Sequence, residues 1–218
     1  MDLLSQLFTR FPKELKINSD NIFRFAALLI EFLRKINVPY CLTDIDHGKT
    51  IIKNSYVDPS AYIGDFTLIR NSYISGAARI GAHVEINNSI VLGEVVIPHH
   101  NYIGYSIIGN KVILGGNTRT TVRRLDDKKP RIIIDGIKYC AECTKFGSII
   151  GDNSKIGSSV IFSPLTILSK GVIIEPNITV SGFFSEATYV KNNNIVRGNN
   201  IGMNYEQASI SDAKSWDV

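Results

Sequence analysis

An aliphatic residue returns every five or six positions between residues 57 and 114, and this spacing constrains the fold more than any other feature. The recurring residues are Val57, Ile63, Ile69, Ile74, Ile80, Ile86, Leu92, Ile97, Ile103, Ile108 and Leu114. A mostly small or β-branched residue stands two positions before each of them, and glycine often follows. A period of six fits a short strand plus a corner, with three strands to a coil. The sequence therefore predicts a mainly β solenoid whose stacked coils bury one continuous core.

Residues 119–147, which we call the excursion, interrupt the repeat. A charged run from Arg119 to Lys129 is followed by Asp135-Gly136 between two apolar runs. Asp-Gly in this setting is a strong signal for a β-hairpin with a two-residue turn. Insertions in solenoids usually lie on the binding face, so a binding role is expected, with a purely structural hairpin as the alternative. The repeat resumes at Ile150, Ile156, Phe162, Ile167 and about Ile173.

The two ends of the chain lack the repeat, which is therefore assigned to residues 51–184. Residues 1–50 predict an N-terminal α-helical cap and connector, because the segment from Ile22 to about Ile36 is apolar on nearly every side. The favoured role of this cap is a lid over the open edge of the first coil. A docking surface for a protein partner is the alternative. Residues 185–218 are rich in Asn, Ser and Gly and predict a polar tail.

Composition and charge argue against several functions. The net charge is only +4, and no basic run is interleaved with aromatic residues, so a nucleic-acid partner is not expected. The most apolar segment, Ile22–Ile36, is interrupted by charged residues, so a membrane span is not expected. The N-terminus lacks the layout of a signal peptide, and a cytoplasmic location is the default expectation.

The residues that bind metal ions in other proteins are not grouped as a metal site requires. Cys140 and Cys143 form a C-x-x-C pair, but the sequence has no second ligand pair of the kind that a structural zinc site needs. Reduced thiols are therefore expected. Asp44, Asp46 and His47 fall in what should be a solvated turn.

One hexad, Ile97-Pro98-His99-His100-Asn101-Tyr102, carries the candidate chemistry. Asn101 takes an inward position that is small or β-branched elsewhere, and its buried amide must find hydrogen-bond partners there. His99 lies two residues after the inward Ile97, so it should point outward near a corner. An imidazole there is suited to accept a proton near neutral pH. The alternative is a surface turn with two histidines.

Three motifs together resemble a known family. They are the hexad with its continuation to Gly104, the segment Leu114-Gly115-Gly116-Asn117-Thr118, and the exit of the excursion at Lys145-Phe146-Gly147. They resemble the acetyltransferase halves of bifunctional sugar-1-phosphate nucleotidylyltransferases, including glucosamine-1-phosphate N-acetyltransferase. The resemblance covers roughly residues 51–184, without the nucleotidylyltransferase half. It implies a left-handed parallel β-helix, a homotrimer, and acetyl-coenzyme A as co-substrate.

The resemblance also implies roles for single residues. His99 corresponds to the general base, and the backbone N–H of Gly116 falls where the thioester is bound. The substrate-binding positions are Arg70, Asn87, Tyr102, Lys128 and Arg131, and the positions that line coenzyme A further along are Ser158 and Pro176. Three substrate-site residues depart from the family pattern, because Asn87 replaces a lysine and Ile113 and Val122 replace asparagines. The segment Gly115-Gly116-Asn117-Thr118 also departs from the family's Gly-Ala-Gly-Thr.

Two functions remain open at this point. The first is transfer of an acetyl group from coenzyme A to an amino-sugar phosphate such as glucosamine-1-phosphate, with His99 as the base. The second is a non-catalytic assembly module that partners a separate nucleotidylyltransferase, which the three departures favour. A carbonic anhydrase on the same fold would need three histidines per metal ion, and His83, His99 and His100 lack a suitable spacing.

Overall fold

The computed structural model describes residues 49–141, 143–191 and 196–197. The strands are β1 (Ile51–Lys53), β2 (Tyr56–Val57), β3 (Tyr62–Ile63), β4 (Leu68–Arg70), β5 (Tyr73–Ile74), β6 (Arg79–Ile80), β7 (Glu85–Asn87), β8 (Ile90–Val91), β9 (Val96–Ile97), β10 (Tyr102–Gly104), β11 (Ile107–Ile108), β12 (Ile113–Leu114), β13 (Arg119–Thr120), β14 (Arg131–Ile134), β15 (Ile137–Cys140), β16 (Ser148–Ile150), β17 (Lys155–Ile156), β18 (Ile161–Phe162), β19 (Thr166–Leu168), β20 (Ile173–Ile174), β21 (Thr179–Ser181), β22 (Phe183–Phe184), β23 (Tyr189–Val190) and β24 (Val196–Arg197). The described residues include no helix of the length and apolar character needed to cross a bilayer. The predicted N-terminal cap lies outside these residues.

Three parallel sheets form the three walls of a solenoid. Sheet A contains β1, β4, β7, β10, β13, β18, β21 and β24, sheet B contains β2, β5, β8, β11, β16, β19 and β22, and sheet C contains β3, β6, β9, β12, β17, β20 and β23. Apart from the hairpin of the excursion, successive strands visit A, B and C in turn. In the early coils one complete turn takes 17 residues, as the pairing of Ile52 with Ile69 and of Ile69 with Ile86 illustrates. The predicted parallel β-helix is confirmed, while the left hand of its coil stays a prediction.

The core between the walls is aliphatic. Its fully buried members include Ile69, Ile74, Ile80, Ile86, Ile97, Ile103 and Ile108, all of them predicted by the repeat. Three core predictions were wrong by one residue: Val91, Leu168 and Ile174 enter the core instead of Leu92, Ile167 and Ile173. All three errors fall in runs of consecutive aliphatic residues, where the register with neighbouring coils decides which residue points inward. Val91, for example, pairs with both Ile74 and Ile108.

A file of buried serines lines the corner between sheets A and B. Its members are Ser55, Ser72, Ser89, Ser106 and Ser148. From Ser72 onward, the N–H of each serine donates to the hydroxyl of the serine one coil earlier, at 3.0 to 3.1 Å. The step from Ser106 to Ser148 is 42 residues, because the excursion is inserted between them. The file therefore keeps its register across the excursion.

The excursion forms the predicted two-stranded hairpin. Strands β14 and β15 pair antiparallel, and Asp135 and Gly136 make the turn with φ of 51° and 78°. Positive φ at both positions is what a type I′ hairpin turn requires. The excursion begins later than predicted, because Arg119 and Thr120 form β13 and pair with the next strand of sheet A.

This hairpin covers the outer surface of sheet B. Its Ile132 and Ile134 are 4% and 1% exposed and join an apolar cluster outside the solenoid core. Sheet B contributes Tyr73, Ile90, Ile107, Ile149, Ile167 and Phe183 to this cluster. Sheet B is therefore buried on both faces. The hairpin has the structural role that the sequence left open, because it covers this sheet.

Parallel pairing continues beyond residue 184, where the sequence analysis placed the start of the polar tail. Strand β23 pairs with β20, and Val190 is 1% exposed in the core. Strand β24 pairs with β21. The six-residue repeat is lost here because the turn shortens. One turn takes 17 residues in the early coils, but only 16 residues separate the paired Val180 and Val196. Strands β23 and β24 therefore extend the solenoid, and the remainder of the predicted tail lies outside the described residues.

Close stacking of the coils predicts a sharp difference between two glycines. A Cβ added at Gly147 would lie 2.0 Å from the carbonyl oxygen of Gly104, whereas a Cβ at Gly93 would meet nothing closer than 3.5 Å. We expect Gly147→Ala to lower the free energy of unfolding by about 1–3 kcal/mol, as overpacking of a rigid interior does. The matched Gly93→Ala should be neutral or slightly stabilising. Urea unfolding followed by circular dichroism measures both, and equal stability of the two variants would contradict the packing described here.

Candidate active site

The corner between sheets C and A repeats one two-residue turn in successive coils. The second residue of the turn has positive φ, and these residues are Phe66, His83, His100, Asn117, Ser159 and Asn177. From His83 onward, the N–H of this residue donates to the carbonyl of the first turn residue one coil earlier, at 2.9 to 3.3 Å. The first turn residues therefore lie one above another. We call them the corner file, which consists of Asp65, Ala82, His99, Gly116, Ser158 and Pro176.

The corner file brings together four residues that the sequence analysis singled out separately. His99, Gly116, Ser158 and Pro176 occupy four successive coils. Coils one strand apart are separated by about 4.8 Å, so these residues span about 14 Å along the solenoid axis. The side chains of His99, Ser158 and Pro176 are exposed. A long, thin ligand lying along this corner would meet all four in order.

His99 and Gly116 are in direct proximity. A Cβ built on Gly116 would lie 3.1 Å from Nε2 of His99, so the ring nitrogen faces the bare Cα of the next coil. Within the described ranges the N–H of Gly116 donates no hydrogen bond. The His99 imidazole therefore lies against the backbone of a residue whose N–H is available as a donor. This pair can deprotonate an attacking group and bind a developing oxyanion.

A stack of rings lies beside His99. The His100 ring lies 5.5 Å from that of His99 at an interplanar angle of 83°. His100 stacks on His83 at 5.1 Å, and His83 stacks on Phe66 at 5.0 Å. In the part of the chain that the structure covers, no three His, Cys, Asp or Glu side chains are grouped as metal ligands. Phe66, His83 and His100 are therefore stacked in order, and the His99 ring meets the end of this stack edge-on.

Tyr102 is the first residue of β10, directly after the corner, and lies on the outer surface of sheet A. Its ring runs along the strand, because a Cβ at Gly104 would be 2.6 Å from the phenol oxygen. The same Cβ would be 2.9 Å from Cγ1 of Val122, at the base of the excursion. Burial raises the pKa of Tyr102 above its ordinary value, with a smaller contribution from the neighbouring charge of Glu85. Tyr102 is therefore a neutral hydrogen-bond donor at physiological pH.

Arg70 and Asn87 lie on the same surface and are neighbours in the sheet register. The guanidinium of Arg70 is paired through Nη2 with the carboxylate of Glu85, and its Nε is buried without a hydrogen-bond partner. Sequence reasoning missed Glu85. The signal was present, since Glu85 precedes Tyr102 by one coil of 17 residues and must lie beside it in sheet A.

Lys128 and Arg131 are not brought to His99 within one chain. Both are exposed residues of the excursion. The excursion leaves and re-enters the solenoid at the corner between sheets A and B, where the N–H of Gly147 donates to the carbonyl of Tyr105. His99 lies at the other end of the sheet A strands. The two basic residues therefore belong to a different corner of the solenoid.

Comparisons with known proteins agree with this architecture. The family model described as the GMPPB C-terminal domain matches residues 51–124. A putative uncharacterized acetyltransferase, YaiX of Escherichia coli K12, is 28% identical over 88 residues, which are 40% of this chain and 38% of that protein. The chain thus matches well under half the length of this curated relative.

Solved structures with similar coils include two acetyltransferases. The acetyltransferase domain of PglB from Neisseria gonorrhoeae, in complex with acetyl coenzyme A, is 13% identical with a TM-score of 0.26, covering 69% of this chain and 55% of that one. The polysialic acid O-acetyltransferase OatWY is 14% identical with a TM-score of 0.34, covering 75% and 94%. Likenesses this distant carry no functional weight. The repeat and its coil register show a parallel β-solenoid built of hexapeptide-like repeats, and residues 51–124 of it are similar to the matched family model.

Proposed function

We propose that the protein transfers the acetyl group of acetyl-coenzyme A to an amino-sugar phosphate such as glucosamine-1-phosphate, with His99 as general base. The observation that carries the proposal is the corner file. Nε2 of His99 faces Gly116, whose N–H has no partner in the described residues, and exposed Ser158 and Pro176 continue the line. The thioester would lie here, because the Gly116 N–H is available to donate a hydrogen bond to it. The pantetheine arm would then lie along the next two coils.

In the proposed reaction, Nε2 of His99 accepts a proton from the acceptor amine as the amine attacks the thioester carbonyl. General-base assistance of this kind is worth about 10²–10⁴-fold. The Gly116 N–H donates to the oxygen of the tetrahedral intermediate, and one such donor is worth about 3–4 kcal/mol. The intermediate expels the coenzyme A thiolate, which takes the proton back from His99. The products are the N-acetylated acceptor and free coenzyme A.

The acceptor would lie on the outer surface of sheet A, beside the corner file. Tyr102 offers a phenol donor, and Asn87 offers an amide on the neighbouring strand. Arg70 supplies positive charge, but a phosphate would have to share its guanidinium with Glu85. Lys128 and Arg131 remain proposed substrate residues only in an assembly of chains, such as the homotrimer that the resemblance implies, since in one chain they lie at another corner.

A second candidate function is a non-catalytic module that binds a separate nucleotidylyltransferase. Two observations favour it. Ile113 is 45% exposed beside the corner file, where the resemblance implies asparagine, and Val122 takes a second such position against Gly104. The pairing of Arg70 with Glu85 also reduces the charge available to a phosphate. Calorimetric titration with acetyl-coenzyme A distinguishes the two functions, because the module would not bind it.

Removing the proposed base tests the catalytic function directly. We expect His99→Ala to lower the rate of thiol release from acetyl-coenzyme A, with glucosamine-1-phosphate as acceptor, by about a hundredfold or more. The matched control is His83→Ala, which removes an exposed imidazole of the same ring stack that does not contact Gly116. This control should retain the rate within a few-fold. A His99→Ala enzyme with the wild-type rate would rule out the assignment of the base.

The space over Gly116 yields a graded prediction. The Cβ of Gly116→Ala requires His99 to move by only a few tenths of an ångström, and the rate should fall little. The two additional methyl groups of Gly116→Val cannot fit beside the ring, so we expect a rate loss of about tenfold or more from the displaced base. Both variants should unfold near the wild-type temperature, because the site is on the surface. Steady-state kinetics and thermal unfolding measure these effects, and equal activity of the two variants would contradict the proposed geometry.

A further inference from the structure

The buried residue that precedes the sheet A strand at the C–A corner differs in chemistry from coil to coil. The equivalent residues in successive coils are Thr50, Thr67, Val84, Asn101, Thr118, Val160 and Ile178, all 6% exposed or less. Asn101 is the amide among them, and it belongs to the coil that carries His99. Its hydrogen bonds follow a different pattern from those of the threonines.

The threonines link each coil to the next one. The hydroxyl of Thr50 donates to the carbonyl of Gly64 at 3.0 Å, and that of Thr67 donates to the carbonyl of Gly81 at 2.8 Å. In both cases the acceptor is the residue just before the corner file. Val84 has no hydroxyl, so it cannot donate a hydrogen bond to the equivalent carbonyl of the next coil, which is that of Pro98. A buried carbonyl without a partner costs about 1–3 kcal/mol.

Asn101, which belongs to the same coil as Pro98, donates a hydrogen bond to the Pro98 carbonyl. Its Nδ2 donates to the carbonyl of Pro98 at 2.7 Å and approaches the carbonyl of His99 at 3.3 Å. Its Oδ1 accepts the N–H of Thr118 at 2.8 Å. The amide therefore bonds the backbone of the His99 turn on one side and the segment that follows Gly116 on the other.

We propose that Asn101 is a positioning residue that fixes the backbone of His99 against the coil carrying Gly116. This inference rests on the proposed function, in which Nε2 of His99 must stay beside the Gly116 N–H. A threonine at this position would be expected to donate to the coil above, as Thr50 and Thr67 do, and it would release the carbonyls of Pro98 and His99. The turn that carries the base would then lose two of its hydrogen bonds.

The test compares Asn101→Thr with Thr67→Val in the full chain. Asn101→Thr places at this corner the residue that other coils tolerate, so the fold should persist. Thr67→Val removes a buried hydrogen bond of the same corner two coils earlier, without a contact to His99. We expect Asn101→Thr to lower kcat by about tenfold or more, because small displacements of a catalytic group are costly. The KM for acetyl-coenzyme A should change little, and Thr67→Val should keep kcat within about twofold.

A second measurement separates this inference from the proposed function. Crystal structures of the wild type and of Asn101→Thr give the distance from Nε2 of His99 to the Cα of Gly116 without any assay. A longer distance or two ring positions in the variant support the positioning role, even if the wild type transfers no acetyl group and only the proposed function fails. An unchanged ring position and an unchanged kcat in Asn101→Thr would overturn the inference, as would equal losses of kcat in Asn101→Thr and Thr67→Val.

Discussion

Parallel pairing in a fixed register is the interaction on which the rest of the structure depends. Each strand bonds to the strand one coil away, so residues a full turn apart are placed one above another. The register converts sequence spacing into files of residues along the solenoid. The serine file and the corner file are two products of the same rule. His99 and Gly116 are neighbours because one turn separates them, and no other contact is needed to bring them together.

The excursion is inserted without disturbing this register, and it makes the walls of the solenoid differ in what covers their outer surfaces. The step from Ser106 to Ser148 is 42 residues, yet the hydrogen bond between them matches those of the uninterrupted coils. The inserted hairpin covers the apolar outer surface of sheet B. The corner between C and A stays uncovered by the hairpin, and its residues His99, Ser158 and Pro176 are exposed. One wall of the solenoid is therefore covered by the hairpin, while the corner between sheets C and A remains exposed to solvent.

Much of this arrangement could be predicted from the sequence, and the failures have physical causes. The six-residue period identified core residues such as Ile69, Ile86 and Ile103. It failed at Val91 and Leu168, because sheet B is buried on both faces and both faces of its strands are aliphatic. The roles suggested for Gly116, Ser158 and Pro176 came from a resemblance. Gly116 follows His99 by one turn, but the alignment of Ser158 and Pro176 with His99 depends on where the excursion leaves and rejoins the coil. The pairing of Arg70 with Glu85 was missed although the register places both residues on the outer surface of sheet A, because the register does not fix which outward side chains pair.

The most direct test of the central claim is a crystal structure of the full chain with bound acetyl-coenzyme A. The corner file predicts that the thioester oxygen lies within about 3 Å of the Gly116 N–H, a hydrogen-bond distance. The pantetheine arm should continue past Ser158 towards Pro176, with Nε2 of His99 facing the thioester carbon. A coenzyme bound on another corner of the solenoid, or with its thioester far from His99, would contradict the account.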